Sequence, residues 1–90
     1  MFEWDSDKAA SNLLKHGVSF EEAANLFEDV FALTVEDSAH SDVEIRLVTI
    51  GISSVSRLLL VVNTERDDNI RIISARPTSP AERRFYESQL

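Results

Sequence analysis

The stretch that most constrains the fold lies near the C-terminus, over residues 69–87, and reads NIRIISARPTSPAERRFYE. Its first part, residues 70–76, is rich in β-branched residues, a composition that predicts a strand. Farther on, Pro80 suits the first position of a helix, and Ser79 with Glu82 forms a capping-box pattern at the same place. The stretch therefore predicts a strand, a tight corner and a short helix in direct succession.

Positive charge is concentrated in the same stretch. Because side chains alternate along a strand, we expect Arg71 and Arg76 on opposite faces of it. Arg83, Arg84 and Tyr86 follow on the predicted helix. The whole chain has a net charge of −7, which argues against sequence-independent binding to nucleic acid through a broad basic surface. The sequence therefore predicts a local basic corner, formed by residues of this stretch, in an otherwise acidic protein.

Length and composition predict one small domain over residues 1–90. With 43% hydrophobic residues, a chain of 90 residues can bury a modest core. The absence of cysteine excludes disulfides, thiolate zinc sites and thiol catalysis. No apolar run is long enough to span a bilayer, and the acidic start does not read as a signal peptide, so we expect a cytoplasmic protein with no membrane contact.

Two helices are predicted in the first third of the chain. Residues 6–16 carry apolar side chains at helical spacing, with Asp5 as the N-cap and Gly17 as a left-handed stop. Ser19 begins a second capping box, which predicts a helix over residues 20–28.

The middle of the chain predicts strands joined by short polar loops. Gly51 suggests a bulge or a bend. Short loops favour antiparallel neighbours, so we expect an α+β fold: two N-terminal helices and a short C-terminal helix packed on a small antiparallel β-sheet. The segments with β-rich or alternating patterns are residues 2–4, 30–35, 43–48 and 57–64, the last buried on both faces.

Motifs for several chemistries are missing. The two histidines have no metal-ligand spacing, and the two glycines lie too far apart for a phosphate-binding loop. No Gly-x-Ser-x-Gly elbow is present. We therefore expect no metal and no cofactor.

Cleavage of RNA is compatible with the residues present. Transesterification at a phosphodiester requires groups that move protons and cations that stabilise the crowded phosphate charge. Residues of these types are His16, His40 and Glu44 for proton transfer, Lys15, Arg46, Arg71 and Arg76 for phosphate binding, and Tyr86 for stacking on a base or donating a proton.

All of these residues except His40 also have a structural interpretation, which the residue types alone leave open. These interpretations are a helix-dipole interaction for Lys15 and His16, cross-strand pairs for Glu44 and Arg46, an ion pair with Asp5 or Asp29 for Arg71 or Arg76, and a core position for Tyr86.

Five short segments form a distinctive combination: FEWD at 2–5, KHGVSFEEA at 15–23, the Glu-x-Arg of 44–46, RIISAR at 71–76 and the Glu-Arg-Arg-x-Tyr of 82–86. Taken together, they resemble the BrnT family of toxins, and the likeness covers residues 2–87. It implies a RelE-like ribonuclease fold and a type II toxin that cleaves RNA without metal and inhibits translation. It also implies a BrnA-type antitoxin as partner, with DNA contacted only through that antitoxin.

The resemblance carries site residues over by position. It implies catalysis or RNA contact by Lys15, His16, Glu44, Arg46, Arg71, Arg76 and Arg83, with His40 in a loop where many relatives carry a histidine. Two other functions are considered beside it. One is a non-catalytic protein-interaction domain, an inactive toxin relative that binds an antitoxin-like partner. The other is a structural dimer that shares the RLLLVV segment at 57–62.

Overall fold

The structure, a computed structural model, describes residues 1–40 and 43–90. Within these ranges the strands are β1 (Phe2–Glu3), β2 (Leu33–Glu36), β3 (Leu47–Ile52), β4 (Leu58–Arg66) and β5 (Asn69–Pro77), and the helices are α1 (Ser6–His16), α2 (Phe20–Asn25) and α3 (Pro80–Glu87). Single 3-10 turns occupy Leu26–Glu28 and Ser38–His40. The strand order is β1-β5-β4-β3-β2, so the predicted α+β class is confirmed.

The predicted helix starts are confirmed by their capping contacts. The side chains of Asp5 and Ser19 accept hydrogen bonds from backbone amides in the first turns of α1 and α2. Gly17 ends α1 with a φ of 69°, the left-handed conformation that glycine adopts without strain. Ser79 and Glu82 form the complete capping box at the start of α3. None of the helices in the described ranges is long and apolar enough to cross a membrane.

The sheet is mixed, so the expectation of a purely antiparallel sheet is wrong at one edge. β1 runs parallel to β5, with Phe2 opposite Ile70 and Glu3 opposite Arg71. The other three strand pairs are antiparallel. The hairpin argument holds only between strands that follow each other closely, whereas β1 is separated from the rest of the sheet by two helices.

The strand predicted over residues 43–48 begins only at Leu47. The backbone before it is held by other partners: the Thr64 hydroxyl donates to the Ile45 carbonyl at 2.7 Å, and the Asp37 amide donates to the Arg46 carbonyl at 2.8 Å. Glu44 and Arg46 therefore precede β3 and do not belong to its ladder. Two residues of the predicted loop before them, at positions 41 and 42, lie outside the described ranges.

A bulge in β5 replaces the one predicted at Gly51. Val62 faces Ser74 while Asn63 faces Ile72, so Ile73 is an extra residue in the ladder. Gly51 instead pairs regularly with its neighbour strand. A Cβ at Gly51 would lie 3.2 Å from Ala32 and from Leu26, so the glycine permits a close approach of the chain.

The extra residue reverses one expectation about the arginines. A bulge shifts the alternation of side chains by one position, and as a result Ile72 and Ala75 are both buried in the same core cluster. Arg71 lies opposite Thr64, and Arg76 lies opposite Leu60. Since positions 60 and 64 of β4 point to the same side, the two arginines share one face of the sheet, and the prediction of opposite faces is wrong.

The core has two parts, one on each face of the sheet. On the first face, α1, α2 and the turn after them pack on Leu59, Val61, Ile72 and Ala75. On the second face, Tyr86 of α3 packs with Ile50, Leu58 and Leu60. The prediction that β4 is buried on both faces is confirmed, since residues 58–61 are at most 7% exposed. This burial argues against the proposed dimer, because residues 58–61 of the RLLLVV segment form the core and leave little free surface to share.

Asn12 closes the outer edge of β5, beyond the end of the short β1 strand. Its side-chain oxygen accepts from the Ala75 amide at 3.1 Å, and its nitrogen donates to the carbonyls of Ala75 and Val18 at 2.8 and 3.0 Å. The side chain is thus bonded to the strand edge as a neighbouring strand would be. It is 6% exposed, and it fixes α1 against the sheet.

Replacing this amide by an apolar group of similar size tests the edge closure. We expect Asn12→Leu to lower the free energy of unfolding by roughly 2–4 kcal/mol, because the amide of Ala75 and two carbonyls lose buried partners. Urea denaturation measures the change. Ser11→Ala, on the exposed side of the same helix, is the control and should stay within about 0.5 kcal/mol of the wild type. Equal midpoints for the two variants would contradict the proposed role of Asn12.

Candidate functional site

Two guanidinium groups lie on the second face of the sheet, along β5. Arg71 and Arg76 are on this face at opposite ends of the bulge, with Ser74 between them. At about 3.3 Å per residue their Cα atoms are roughly 13–16 Å apart. The α3 helix covers the end of this face that carries Arg76. The sequence predicted both residues as phosphate-binding candidates, but the bulge alone puts them on a common surface.

Both guanidinium groups form internal ion pairs. Arg71 Nη1 lies 2.8 Å from Glu3 Oε2, and Glu3 also accepts from the Asn69 side chain at 3.1 Å. Arg76 makes two parallel bonds of 2.8 Å to the oxygens of Glu82. Ion pairing was one of the open interpretations, and it is confirmed, but the predicted partners Asp5 and Asp29 are wrong.

These contacts shift the ionisation of the acids. The bonds from Arg76 outweigh partial burial and lower the pKa of Glu82 to about 2, while Glu82 raises the pKa of Arg76. The bond from Asn69 and then that from Arg71 lower the pKa of Glu3. Both pairs are therefore fully charged at neutral pH. The side chains of Arg71 and Arg76 are still 28% and 41% exposed, so their outer edges face solvent.

The end of α1 forms a small cleft with the outer edge of β5. The cleft has a volume of about 200 Å³. Lys15 is exposed there and the His16 imidazole is half-buried, so an ammonium group and an imidazole lie beside Ser74, the residue between the two arginines. The lining residues are Lys8, Ser11, Asn12, Lys15, His16, Ile73 and Ser74.

An ion-pair network away from the cleft holds the corner that follows His16. Arg57 donates to both oxygens of Glu22 and, at 2.9 Å, to the Gly17 carbonyl. The Ser53 hydroxyl donates to the same carboxylate at 2.7 Å. These bonds, led by those from Arg57, lower the pKa of Glu22. Neither Arg57 nor Glu22 was singled out from the sequence for this contact, because the two are distant along the chain.

Glu44 and Arg46 lie apart from the cleft. Glu44 is paired with Arg66 of β4 at 3.3 Å, which agrees with the cross-strand interpretation. The segment contacts Thr64 of β4, and Thr64 is the ladder partner of Arg71. One strand therefore separates this segment from Arg71, at the end of the sheet opposite Arg76.

The three residues predicted for RNA contact occupy separate places. His40 is exposed, and its Nδ1 lies 2.9 Å from Asp37 Oδ2 in the turn after β2. Arg83 is exposed on α3, 3.9 Å from Glu87. Tyr86 is only 3% exposed, so its ring belongs to the core and is not available to stack on a base in this structure.

The hydroxyl of Tyr86 has a structural partner, Asp29. It donates to Asp29 Oδ2 at 2.6 Å, and the amides of Ile52 and Phe31 donate to the same carboxylate. Burial and then this carboxylate raise the pKa of Tyr86 to about 12. Burial alone would raise the pKa of Asp29, but the three donors outweigh it and lower that pKa. The contact fixes the end of α3 to β3.

The Arg76–Glu82 pair predicts a specific loss of stability in acid. Because the pKa of Glu82 is depressed in the folded protein, its contribution is complete above pH 4.5 and is lost as the pH falls towards 2. We expect Glu82→Gln, which keeps the capping box, to lower the free energy of unfolding by roughly 1–2 kcal/mol at pH 7. The difference should vanish near pH 2 in urea denaturation. Glu87→Gln, at an exposed and weaker pair, is the control; a loss that does not depend on pH would contradict the assignment.

The chain is similar in structure to the Brucella abortus ribonuclease toxin BrnT, known from a 1.1 Å crystal structure, with a TM-score of 0.67 and 23% sequence identity. The match covers 88% of this chain and 97% of the Brucella chain. At that identity the likeness establishes a shared fold. Among curated protein sequences, none matches significantly.

The family assignment comes from the sequence. A family model described as "Ribonuclease toxin, BrnT, of type II toxin-antitoxin system" matches residues 4–82. The resemblance drawn from the sequence motifs is thereby confirmed. Since the match covers most of the chain, this protein belongs to the BrnT family of ribonuclease toxins of type II toxin-antitoxin systems.

Proposed function

We propose that this protein is a metal-independent endoribonuclease with a RelE-like fold, which cleaves RNA in the cytoplasm and so inhibits translation. We propose further that a BrnA-type antitoxin neutralises it. Family membership supports the reaction class. The observation that supports the proposal is the bulge at Ile73, because of which Arg71 and Arg76 share the second face of β5. Lys15 and His16 line a cleft at the outer edge of the same strand.

The two arginines are suited to binding successive parts of an RNA backbone. Arg71 uses one of its five N–H donors on Glu3, and among the described residues its other donors have no protein partner. Arg76 donates to Glu82 and to the Pro77 carbonyl, which leaves its Nε–H and one Nη2–H for a phosphate oxygen. The carboxylate behind each guanidinium holds that guanidinium in place. The preorganised charge then stabilises the phosphate in the transition state without reorganisation.

In this proposal, a residue of the cleft at the end of α1 transfers the protons. His16 is the imidazole nearest to the arginine-bearing strand, and it removes the proton of the ribose 2′-hydroxyl or protonates the leaving oxygen. Lys15 adds positive charge at the same position. The remaining candidates, Glu44, Arg46, Arg83 and His40, contact RNA farther from the cleaved bond, since each lies away from the cleft.

The reaction is tested on the isolated protein with labelled single-stranded RNA in the presence of EDTA. We expect cleavage to persist in EDTA. His16→Ala and Arg76→Ala should each lower the rate by about 100-fold or more, because one removes a proton-transfer group and the other a charge on the phosphate. Gel analysis of the products with time measures the rate.

Arg84→Ala is the matched control, since Arg84 is exposed on α3 and has no place in the proposed site. It should cleave at the wild-type rate. Thermal unfolding of each variant shows whether the fold is intact, and Arg71→Lys tests the second arginine with its charge kept. RNA left intact by the wild type at every concentration, or cleavage abolished by EDTA, would overturn the proposal.

A non-catalytic protein-interaction domain is the second candidate function. One observation favours it: Arg71 and Arg76 are both already neutralised by acids of the chain. In this alternative the acidic protein binds an antitoxin-like partner and leaves RNA intact. The RNA assay above separates the two functions, because only the first predicts products that disappear in His16→Ala.

A further inference from the structure

A second concave surface lies at the end of β3 and is lined in part by Tyr86, whose ring packs on the second face of the sheet. It is formed by the turn before β2, the end of β3 and the C-terminal end of the chain, and has a volume of about 490 Å³. We call it the β3 groove. Its lining residues are Asn25, Glu28, Asp29, Phe31, Ile52, Ser53, Ser54, Tyr86 and Leu90. β4 lies between β3 and β5 in the sheet, and the groove shares no lining residue with the cleft of Lys15 and His16, so this surface is separate from that cleft.

The β3 groove exposes large apolar side chains. Phe31 is 55% exposed, Ile52 is 44% exposed and Leu90 is 67% exposed. The neighbouring Val30 is 88% exposed. Single exposed apolar residues are common on protein surfaces, but three that line one concavity, with a fourth next to it along the chain, are typical of an interaction site.

The groove is also negatively charged. Glu28 and Asp29 line it, and within residues 1–40 and 43–90 neither forms an ion pair. The Asp29 carboxylate accepts from two amides and one hydroxyl, and these neutral donors outweigh burial and keep its pKa low. In contrast, Glu3 and Glu82 beside the candidate nuclease site are both paired with arginine.

This combination of negative charge and apolar surface determines which kind of molecule can bind in the β3 groove. Phosphate groups would be repelled, so nucleic acid is excluded. Covering unpaired carboxylates costs free energy unless the partner supplies cations of its own. The apolar residues require a large apolar side chain in the concavity. A polypeptide segment with an aliphatic or aromatic anchor flanked by lysine or arginine meets both requirements.

We infer that the β3 groove is a docking site for such a basic, apolar-anchored segment of the antitoxin. The inference rests on the proposed function for the identity of the partner. It adds which surface the partner occupies and which side chains the partner brings. A partner seated here leaves β5 to other parts of the antitoxin.

The test uses the full-length chain and the antitoxin encoded by the neighbouring gene of the pair, with the dissociation constant measured by titration calorimetry. Leu90→Glu and Phe31→Glu should each weaken binding at least tenfold, because a charge replaces an apolar contact. Glu28→Lys should weaken binding as well and reduce its dependence on salt.

Matched controls exist elsewhere on the chain. Leu14→Glu, at a residue 90% exposed on α1, introduces the same charge away from the groove, and Glu21→Lys makes the same reversal on α2. Both should bind within about twofold of the wild type. All variants should retain wild-type RNA cleavage when the antitoxin is absent. Leu90 is 67% exposed and follows the end of α3, so Leu90→Glu keeps the test valid even if Phe31→Glu lowers the melting temperature.

The possible outcomes distinguish this inference from the proposed function. Wild-type affinity in the groove variants, with the wild type bound tightly, would overturn the inference alone. A wild type that cleaves RNA but does not bind the antitoxin would overturn the antitoxin part of the proposed function together with the inference. A dimer of the wild type alone that is lost in Leu90→Glu would identify a second copy as the occupant, and would also overturn the inference.

Discussion

The pairing of β4 with β5, and the single extra residue within it, is the constraint on which the rest of the molecule depends. Without Ile73 as an insertion, strict alternation would place one of the two β5 arginines against the helices on the first face. With it, Ile72 and Ala75 both enter the core, and both guanidinium groups lie on the side not covered by α1 and α2. The bulge thus buries the apolar residues of β5 and also keeps both arginines out of the core under the helices.

Charge in this protein is organised by pairing. The sheet arginines are held by Glu3 and Glu82, and the corner after α1 is held by Arg57 with Glu22. Each pair joins elements distant in sequence or caps a helix, so the carboxylates orient the arginines, and the arginines offset part of the acidic charge of the chain. Among the described residues, Glu28 and Asp29 of the β3 groove form no such pair.

Much of the local structure was predictable because its causes are local. Capping side chains, Gly17 and the apolar spacing determine where the helices begin and end, and the predicted limits agree with the observed ones to within a few residues. The burial of residues 58–61 followed from a continuous apolar run. The prediction of a strand before residue 47 was wrong, because the Thr64 hydroxyl and the Asp37 amide bind that backbone instead. The alternation pattern contains no signal of such partners.

The sequence by itself determined the fold class, the helix limits, the family and the residue types available for chemistry, because these depend on spacing along the chain. Only the tertiary structure decided which residues meet. The parallel position of β1, the closure of β5 by Asn12, the core position of Tyr86 and the shared face of Arg71 and Arg76 depend on contacts between distant segments. A one-residue shift in one ladder moves a side chain to the other face of a sheet, and no local pattern in the sequence records that shift.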